Sequence, residues 1–421
     1  MLHAKTLPNH KQMFYNSGME TIIKLEEIAT HMHLEPAEEV SPRPLLDEAT
    51  HVAPCGQVLP KGDTSSKKPS LGIHQAVVGN KAVPMIKTML TTACERNCFY
   101  CPFRAGRNYR RTTLKPEEMA QTVNDMYRAG MVNGLFLSSG IIGGGVKTQD
   151  KLLDTADILR NKHQYRGFLH LKVMPGAEKD QVRRAMELAD RLSINLEAPN
   201  DKRLEALAPR KEFVAELLRP LQWVEEIRQT ERPFNTWNGR WPSSVTQFVV
   251  GGTDETDLEI LTTTHYLYSQ LKLGRTYCSA FSPIRDTPLE NRHAEDPQRE
   301  HRLYQASFLF RDYGFDLEEM PFTQRGHLPL DEDPKLAWAR EHLADRPIEL
   351  NRAERRELLR VSGIGPQGAA AILAARRRGV LRELTDLQAI GVRNIRRLSP
   401  FVLLGGKRPL INSNPNQPRL L

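Results

Sequence analysis

Between Val83 and about Pro283, short apolar runs alternate with amphipathic stretches in a regular order. Val83–Leu90 reads as a buried strand. Pro116–Ala129 follows as a helix with proline in its first turn, where the missing N–H costs nothing. Gly134–Gly140 is a strand ending in small polar residues, Gln149–His163 a helix, and Gly167–Met174 a strand broken by Pro175-Gly176. A helix over Lys179–Asp190, a strand over Arg191–Pro199 and a helical stretch from about Lys211 to Thr230 come next. After a loop at 232–242 carrying Trp and Pro, the order is strand Ser244–Gly251, helix 256–272 and strand Thr276–Phe281. Six such strand–helix units imply an α/β fold with a parallel sheet and right-handed crossovers.

The flanks differ. Met19–His31 has apolar positions 22, 23, 25, 28 and 29, a helical face. Residues 34–70 are rich in proline and charge and predict loop or disorder. Helices are expected over Pro297–Arg311 and Asp333–Leu343, with Met320–Leu328 between them as a loop able to cover the mouth of the sheet. From 349 the pattern changes to short helices around glycine turns. Glu354–Val361 and Gln367–Arg377 flank Ser362-Gly363-Ile364-Gly365-Pro366, with Ala370, Ile372 and Leu373 inward. Leu384–Ile390 and Arg393–Phe401 flank Gly391-Val392. The expected divisions are an N-terminal extension (1–80), a core (81–285), a connecting segment (286–348), a terminal helical module (349–405) and a mobile tail (406–421).

The candidate chemistry lies in the loop leaving the first strand. Cys94, Cys98 and Cys101 have the spacing C-x3-C-x2-C, three of only five cysteines in 421 residues. Thiolates crowded on one loop are ligands for a soft metal centre. Structural zinc takes four ligands, and no fourth Cys or His is near: His74 is twenty residues upstream and Cys278 far downstream. A four-iron cluster tolerates three thiolates and leaves one iron open. A zinc knuckle and a set of core cysteines are the other readings. Cys55, in Pro-Cys-Gly, stands alone as a bystander, and Cys278 reads as a core thiol. Clustered, odd-numbered cysteines fit a reducing interior, and no run of about 18 apolar residues occurs. A cytoplasmic protein is expected.

Charge alters the picture at one end. From Arg346 onward there are 15 Lys+Arg and 5 Asp+Glu, so that stretch carries +10 of a total of +8 and the rest sums to −2. A near-neutral body with a strongly basic end points to a polyanionic partner. Arg104, Arg107, Arg110 and Arg111 follow the cysteines at once and read either as a solvated loop or as a phosphate-steering patch.

The cysteine spacing, with the aromatic Tyr100 immediately before the last cysteine, resembles the radical S-adenosylmethionine (SAM) superfamily signature. The resemblance implies a [4Fe–4S] cluster on Cys94, Cys98 and Cys101, SAM chelated at the open iron, and reductive cleavage to a 5'-deoxyadenosyl radical that abstracts hydrogen from substrate. It also implies a partial (β/α)6 barrel with its chemistry at the carboxyl ends of the strands. Ser138, Ser139 and Gly140 match the superfamily's small-residue motif for the SAM amino group, although the usual acidic residue is absent. Asn195 and Glu197 share one face of the fourth strand, where Glu197 would meet the ribose or amine. Lys172 would meet the carboxylate, Gln247 would contact SAM, and Gly251 with Gly252 would admit the adenine. The other reading is a buried polar network inside the barrel.

The terminal stretch resembles a helix-hairpin-helix (HhH) pair. This implies that Gly363, Ile364, Gly365, Gln367 and Gly368, with Gly391, present backbone amides to a nucleic-acid phosphate, flanked by Arg376, Arg377, Arg393 and Arg396. A barrel followed by such a pair, together with His170–Gly176, Ala189–Pro199 and Leu207-Ala-Pro209, resembles the DNA modification/repair radical SAM subfamily. Its members are associated with a protein partner of the uracil-DNA glycosylase class. The expected activity is a radical SAM enzyme acting on DNA, with an external electron donor. The alternatives are RNA as substrate, or a non-catalytic iron–sulfur DNA-binding protein. An HhH glycosylase fits less well, since its cluster uses four cysteines after the hairpin.

Overall fold

The computed structural model describes residues 19–32, 52–53, 57–58, 71–78 and 81–409. They divide into two compact units, Met1–Glu255 with Ser269–His301, and Thr256–Tyr268 with Arg302–Leu421. Cys55 and the tail from 410 lie outside the described residues.

In the first unit, helix α1 (Met19–Met32) and the short strands β1 (Val52–Ala53) and β2 (Gln57–Val58) precede a seven-stranded sheet. Its strands are β3 (Ile73–Val78), β4 (Lys81–Met89), β5 (Gly134–Ser138), β6 (Phe168–Lys172), β7 (Arg191–Ser193), β8 (Ser243–Val250) and β9 (Arg275–Ala280), hydrogen-bonded in chain order. β4 through β9 are all parallel, the six expected strands. β3 adds an antiparallel edge strand that periodicity did not predict. The sheet curls as a half-barrel. Its crossovers contain α2 (Pro116–Arg128), α3 (Gly145–Asp157), α4 (Lys179–Leu188), α5 (Asp201–Leu207) and α6 (Arg219–Thr230).

The helices present stripes of fully buried residues: Met119, Val123 and Met126 on α2, Leu152 on α3, and Val182, Ala185 and Met186 on α4. All five residues of β5 are buried, as a parallel strand covered on both faces requires. In α1, Leu25 and Ile28 are buried but Ile23, placed on the same face by periodicity, is half exposed.

Two elements depart from the expected pattern. The fourth parallel strand ends at Ser193 instead of continuing to Pro199. The Thr246 hydroxyl takes the Leu196 N–H, and Glu197 turns to φ +66°. The chain still tracks β8, because Glu197 N–H donates to Gln247 O and Val249 N–H to Glu197 O. The helix expected from Lys211 begins as a π-helical turn at Phe213–Leu218, which buries Phe213 and Leu217 but leaves Val214 largely exposed.

In the second unit, α7 (Asp257–Ser269) and α8 (Pro297–Tyr313), which straddle its boundaries, are followed by α9 (Pro334–Leu343), β10 (Ile348–Glu349), α10 (Arg355–Arg360), α11 (Pro366–Ala375), α12 (Leu384–Ala389), α13 (Ile395–Leu398) and β11 (Val402–Leu403). β10 and β11 pair in parallel. Ala339 and Leu343 of α9 share one core with Leu350, Leu358, Ile364, Ile372, Leu387, Leu398 and Phe401. The expected connecting segment 286–348 is therefore divided: its start goes with the sheet and its end with the terminal helices. On α11 the inward residues are Ala369 and Ile372, three apart, whereas Ala370 is exposed and Leu373 only partly buried. Among the described residues no helix is long and apolar enough to cross a membrane.

Candidate active site

A cleft opens at the carboxyl ends of the parallel strands, enclosing about 830 Å³ including its mouth. Its walls bring together Cys94, Cys98, Tyr100 and Cys101 after β4, Ser138, Ser139 and Gly140 after β5, Lys172 at the end of β6, Asn195 and Glu197 after β7, and Gln247 on β8. Residues from five strand ends, far apart in sequence, thus share one cavity. Among the other lining residues, Arg96, Ile141, Lys211 and Leu217 were not anticipated as site residues from the sequence.

The cysteine loop is held by backbone and by arginine. Phe99 N–H donates to Leu207 O, and Glu95 N–H to Ile141 O. The carboxylate of Glu95 accepts from the amides of Gly143 and Gly144, at 2.9 and 3.1 Å. Arg111 donates to the carbonyls of Thr92, Phe103, Arg104 and Arg107 while its guanidinium lies 3.7 Å from the centre of the Tyr109 ring. It therefore stitches the loop from inside, and Tyr109 bonds the Thr92 carbonyl beside it. Arg110 pairs with Glu27 of α1 at 3.0 Å. None of Arg104, Arg107, Arg110 or Arg111 lines the cleft.

The donors fit a thiolate-held cluster. Cys94 Sγ accepts the backbone N–H groups of Arg96 and Ile141, both at 3.4 Å, and Cys101 Sγ that of Phe103 at 3.4 Å. Such N–H groups favour the charged sulfur. Burial pushes the Cys98 thiol up, against the pull of the Lys211 ammonium. Among the described residues no three Cys, His, Asp or Glu side chains converge on a single metal ion, and no fourth Cys or His lines the cleft. Three sulfurs instead wall one cavity.

Opposite them lies a buried ion pair. Lys211 Nζ is 3.1 Å from Glu197 Oε1, with the two side chains 8% and 6% exposed. Burial opposes the charge on Lys211, but Cys98 and Glu197 outweigh it and hold its pKa above the ordinary lysine range. Glu197 Oε2 is buried without a hydrogen-bond partner of good geometry, and the Tyr100 phenol lies beside the carboxylate. Burial first, and then Glu197, hold the Tyr100 phenol well above its usual pKa, so it stays protonated. Asn195 Nδ2 reaches Gln247 Oε1 at 3.5 Å.

Gly140 lines the cleft, whereas at Gly251 close packing takes the place of the expected contact. Gly140 lets two backbones meet, since a Cβ there would collide with the Ala93 carbonyl, and its N–H donates to Thr91 O at 2.7 Å. Gly251, at φ +84°, is outside the cleft. The space above it is filled by the Glu295 side chain, so it has no room to admit an adenine. Cys278 is buried in β9 and does not line the cleft.

In the second unit the two glycine turns lie side by side. Gly363 has φ +93° and Gly391 φ +87°. A Cβ on Gly363 would sit 3.1 Å from Asn394 O, and one on Gly368 would sit 3.7 Å from Val392. Arg397 Nε donates to Ser362 Oγ at 2.8 Å, tying one turn to the other. Gln367, Arg393 and Arg396 are exposed near these turns, whereas Ile364 is a core residue, 1% exposed. Arg376 and Arg377 lie at the opposite end of α11 from Gly365, about 15 Å away along a helix of this length. Arg376 is occupied by the Leu350 and Ala353 carbonyls. The structure thus gathers Gly363, Gly365, Gln367, Gly368, Gly391, Arg393 and Arg396 but not Arg376 or Arg377.

Residues 88–267 match the family model of the Radical SAM superfamily. No curated protein sequence matches the chain. Among solved structures, methylornithine synthase (PylB) is similar at 14% identity over 50% of this chain and 57% of its own, with a TM-score of 0.40. The FeFe-hydrogenase maturase HydG from Carboxydothermus hydrogenoformans is similar at 14% identity, over 54% and 51%, with a TM-score of 0.41. The radical SAM methyltransferase TsrM from Kitasatospora setae is similar at 10% identity, over 49% and 38%, with a TM-score of 0.36. The chain spans about half the length of the first two.

Proposed function

With residues 88–267 a radical SAM superfamily domain, an enzyme domain whose cofactors are a [4Fe–4S] cluster and SAM, we propose that this chain acts on DNA and docks on it through its terminal glycine turns. When bound, the cluster and SAM supply reductive cleavage of the sulfonium and a carbon-centred radical able to take hydrogen from an unactivated C–H bond. The chain's own residues position and enclose that chemistry. In this reading Cys94, Cys98 and Cys101 hold the cluster. Glu197, paired with Lys211, offers its carboxylate to an N–H or O–H of SAM. Ser138 and Ser139 and the Lys172 ammonium flank it from neighbouring strand ends, and Asn195 with Gln247 forms a polar wall. Val173, Met174 and Leu217 make the remaining wall apolar, which limits water around a reactive intermediate.

The observation that supports DNA is the pairing of the two turns. The left-handed Gly363 stands before the start of α11, whose first-turn Gln367 and Gly368 amides have no partner within the helix, while at the second turn the Gly391, Val392 and Ile395 amides are taken by the Gln388, Leu387 and Arg393 carbonyls. Arg393 and Arg396 beside them add charge that reads backbone and not sequence. A target base or deoxyribose would have to be distorted or flipped out of the duplex to enter the cleft. The associated glycosylase-class partner implied by the subfamily resemblance belongs to the same proposal.

The test uses reduced, reconstituted protein with SAM and duplex DNA carrying deuterium. The expected result is 5'-deoxyadenosine carrying the label and salt-dependent binding of DNA. Deoxyadenosine formed without label from any DNA, together with tighter binding of matched RNA, would replace DNA by RNA.

A further inference from the structure

Behind the first glycine turn stands a lysine where local preference would not put one. Lys335 is the second residue of α9, where the helix dipole opposes a positive charge, and it is only 8% exposed. Its Nζ donates to Ile364 O at 2.5 Å and lies 4.4 Å from the centre of the Tyr313 ring. The cations around it are paired. Arg397 of α13 bonds Asp333 Oδ1 at 2.9 Å and Ser362 Oγ at 2.8 Å. Arg360 of α10 bonds Glu319 at 2.6 Å and the Tyr313 and Gly314 carbonyls. Lys335 forms no ion pair with a carboxylate among the described residues. Burial pushes its pKa down to about 7; Asp333 pulls the other way, and Arg397 and Arg360 add to the fall. A residue that breaks two local preferences at once, against the stability of the fold, belongs with functional positions.

The turn supplies the reason. The described peptide bonds are trans, so the Ile364 carbonyl and the Gly365 N–H of one peptide plane point in opposite directions. With the carbonyl turned inward to Lys335, that N–H faces away from the core. The Gly365, Gln367 and Gly368 amides have no partner among the described residues. We propose that Lys335 is a positioning residue for a nucleic-acid phosphate at this turn: it holds the Ile364–Gly365 peptide with its N–H outward and sets a positive charge behind it. A phosphate at the turn favours the ammonium form, so binding takes up a proton. Affinity is full while the free protein carries the charge, below about pH 7, and falls as pH rises through the higher pKa of the complex. The groups facing Lys335 are Asp333 at its own helix start, Tyr313 at the end of α8, Arg360 on α10 and Arg397 on α13. Burial raises the Tyr313 phenol, which stays protonated. The inference rests on the nucleic-acid docking proposed above.

The experiment titrates the full-length protein with a short fluorescein-labelled DNA duplex, by anisotropy at fixed ionic strength, from about pH 6 to about pH 9. Calorimetry in two buffers of different ionisation enthalpy counts the protons taken up on binding. A rise of about one pKa unit in the complex lowers wild-type affinity about ten-fold across this range and takes up about half a proton near pH 7.5. Lys335→Met, similar in length but uncharged, should bind about ten-fold more weakly at about pH 6 and lose both that fall and that proton. Lys335→Arg keeps its charge throughout, so its affinity should stay near the wild-type value for about pH 6 up to about pH 9. Circular dichroism shows which variants are folded. If Lys335→Met does not fold, the wild-type proton count and Lys335→Arg decide. A lysine that only supports the fold would weaken binding by one factor at every pH and leave the proton count unchanged when replaced. That result, or variants that bind as wild type does at every pH, overturns the positioning role while the docking reading stands. A wild-type chain that binds the duplex at no pH overturns the docking reading, and the role of Lys335 with it.

Discussion

Replacing Lys211 by methionine probes the electrostatic anchor of the cleft. Nζ stands 3.1 Å from Glu197 Oε1, and both side chains are more than nine-tenths buried. At that separation an effective dielectric constant of about 20 gives roughly 5 kcal/mol of attraction, much of it offset by the desolvation of both ions. Removing one partner of a buried pair costs about 3–5 kcal/mol, because the other charge stays buried alone. Glu197 faces a cleft that water enters, so about 2–3 kcal/mol is the expected loss for Lys211→Met. Glu197→Gln in the same background removes the stranded charge, and a double-mutant cycle should return a coupling of about 1.5 kcal/mol or more. The pKa of Lys211 is raised in the fold. Its contribution is therefore fully present below the ordinary lysine pKa and is lost only as pH rises through the higher folded value. The destabilisation should therefore be flat from about pH 6 to about pH 9. Urea unfolding of the four apo forms, followed by circular dichroism, measures all of this. A single variant within about 0.5 kcal/mol of wild type, with additive effects in the cycle, would show that Glu197 is solvated and that the pair anchors nothing.

Other consequences are as direct. Cys98→Ala should abolish the brown chromophore and SAM cleavage while leaving DNA affinity within about two-fold, measured by anisotropy. Arg111→Lys cannot reproduce four carbonyl contacts and a ring stack, so reconstituted protein should retain less iron per chain than wild type. Gly391→Ala forces a side chain to φ +87° in otherwise open space. It should cost about 1 kcal/mol of stability and weaken DNA binding without touching the cluster. Lys335 is buried, donates to Ile364 O at 2.5 Å, and has its pKa pushed down by burial to about 7. A lysine depressed in this way penalises the fold below pH 7, and the penalty fades as pH rises toward the unfolded value. Thermal midpoints of wild type should therefore rise from pH 7 to about pH 9, and Lys335→Met should lose that rise.

The terminal glycine turns cannot be tested by cutting the chain at 349, although the change in sequence pattern suggests that boundary. Ala339 and Leu343 belong to the same core as Leu358 and Phe401, so such a cut would open it. Point variants such as Gly391→Ala avoid the problem.

Periodicity along the chain determined the six parallel strands, most of the crossover helices, and the loop on which the cysteines sit. These are local matters: a period near two or near 3.6, a proline at a first turn, thiols spaced to share one centre. It also put the candidates that the family resemblance implies at strand ends, which in a parallel sheet converge whatever the loops contain. It missed β3, whose edge position leaves little buried pattern, and it ran the fourth strand through Glu197, since nothing local shows that Thr246 will take a ladder hydrogen bond. Which arginines are structural, which charge meets Glu197, and that Gly251 is blocked by Glu295 were decided by tertiary structure alone. Each depends on a partner well outside the local stretch of chain, or on the carbonyls of a folded loop. A side chain's job is set by what the fold places within a few ångströms of it, and sequence spacing fixes that distance only within a single turn of helix or a single strand.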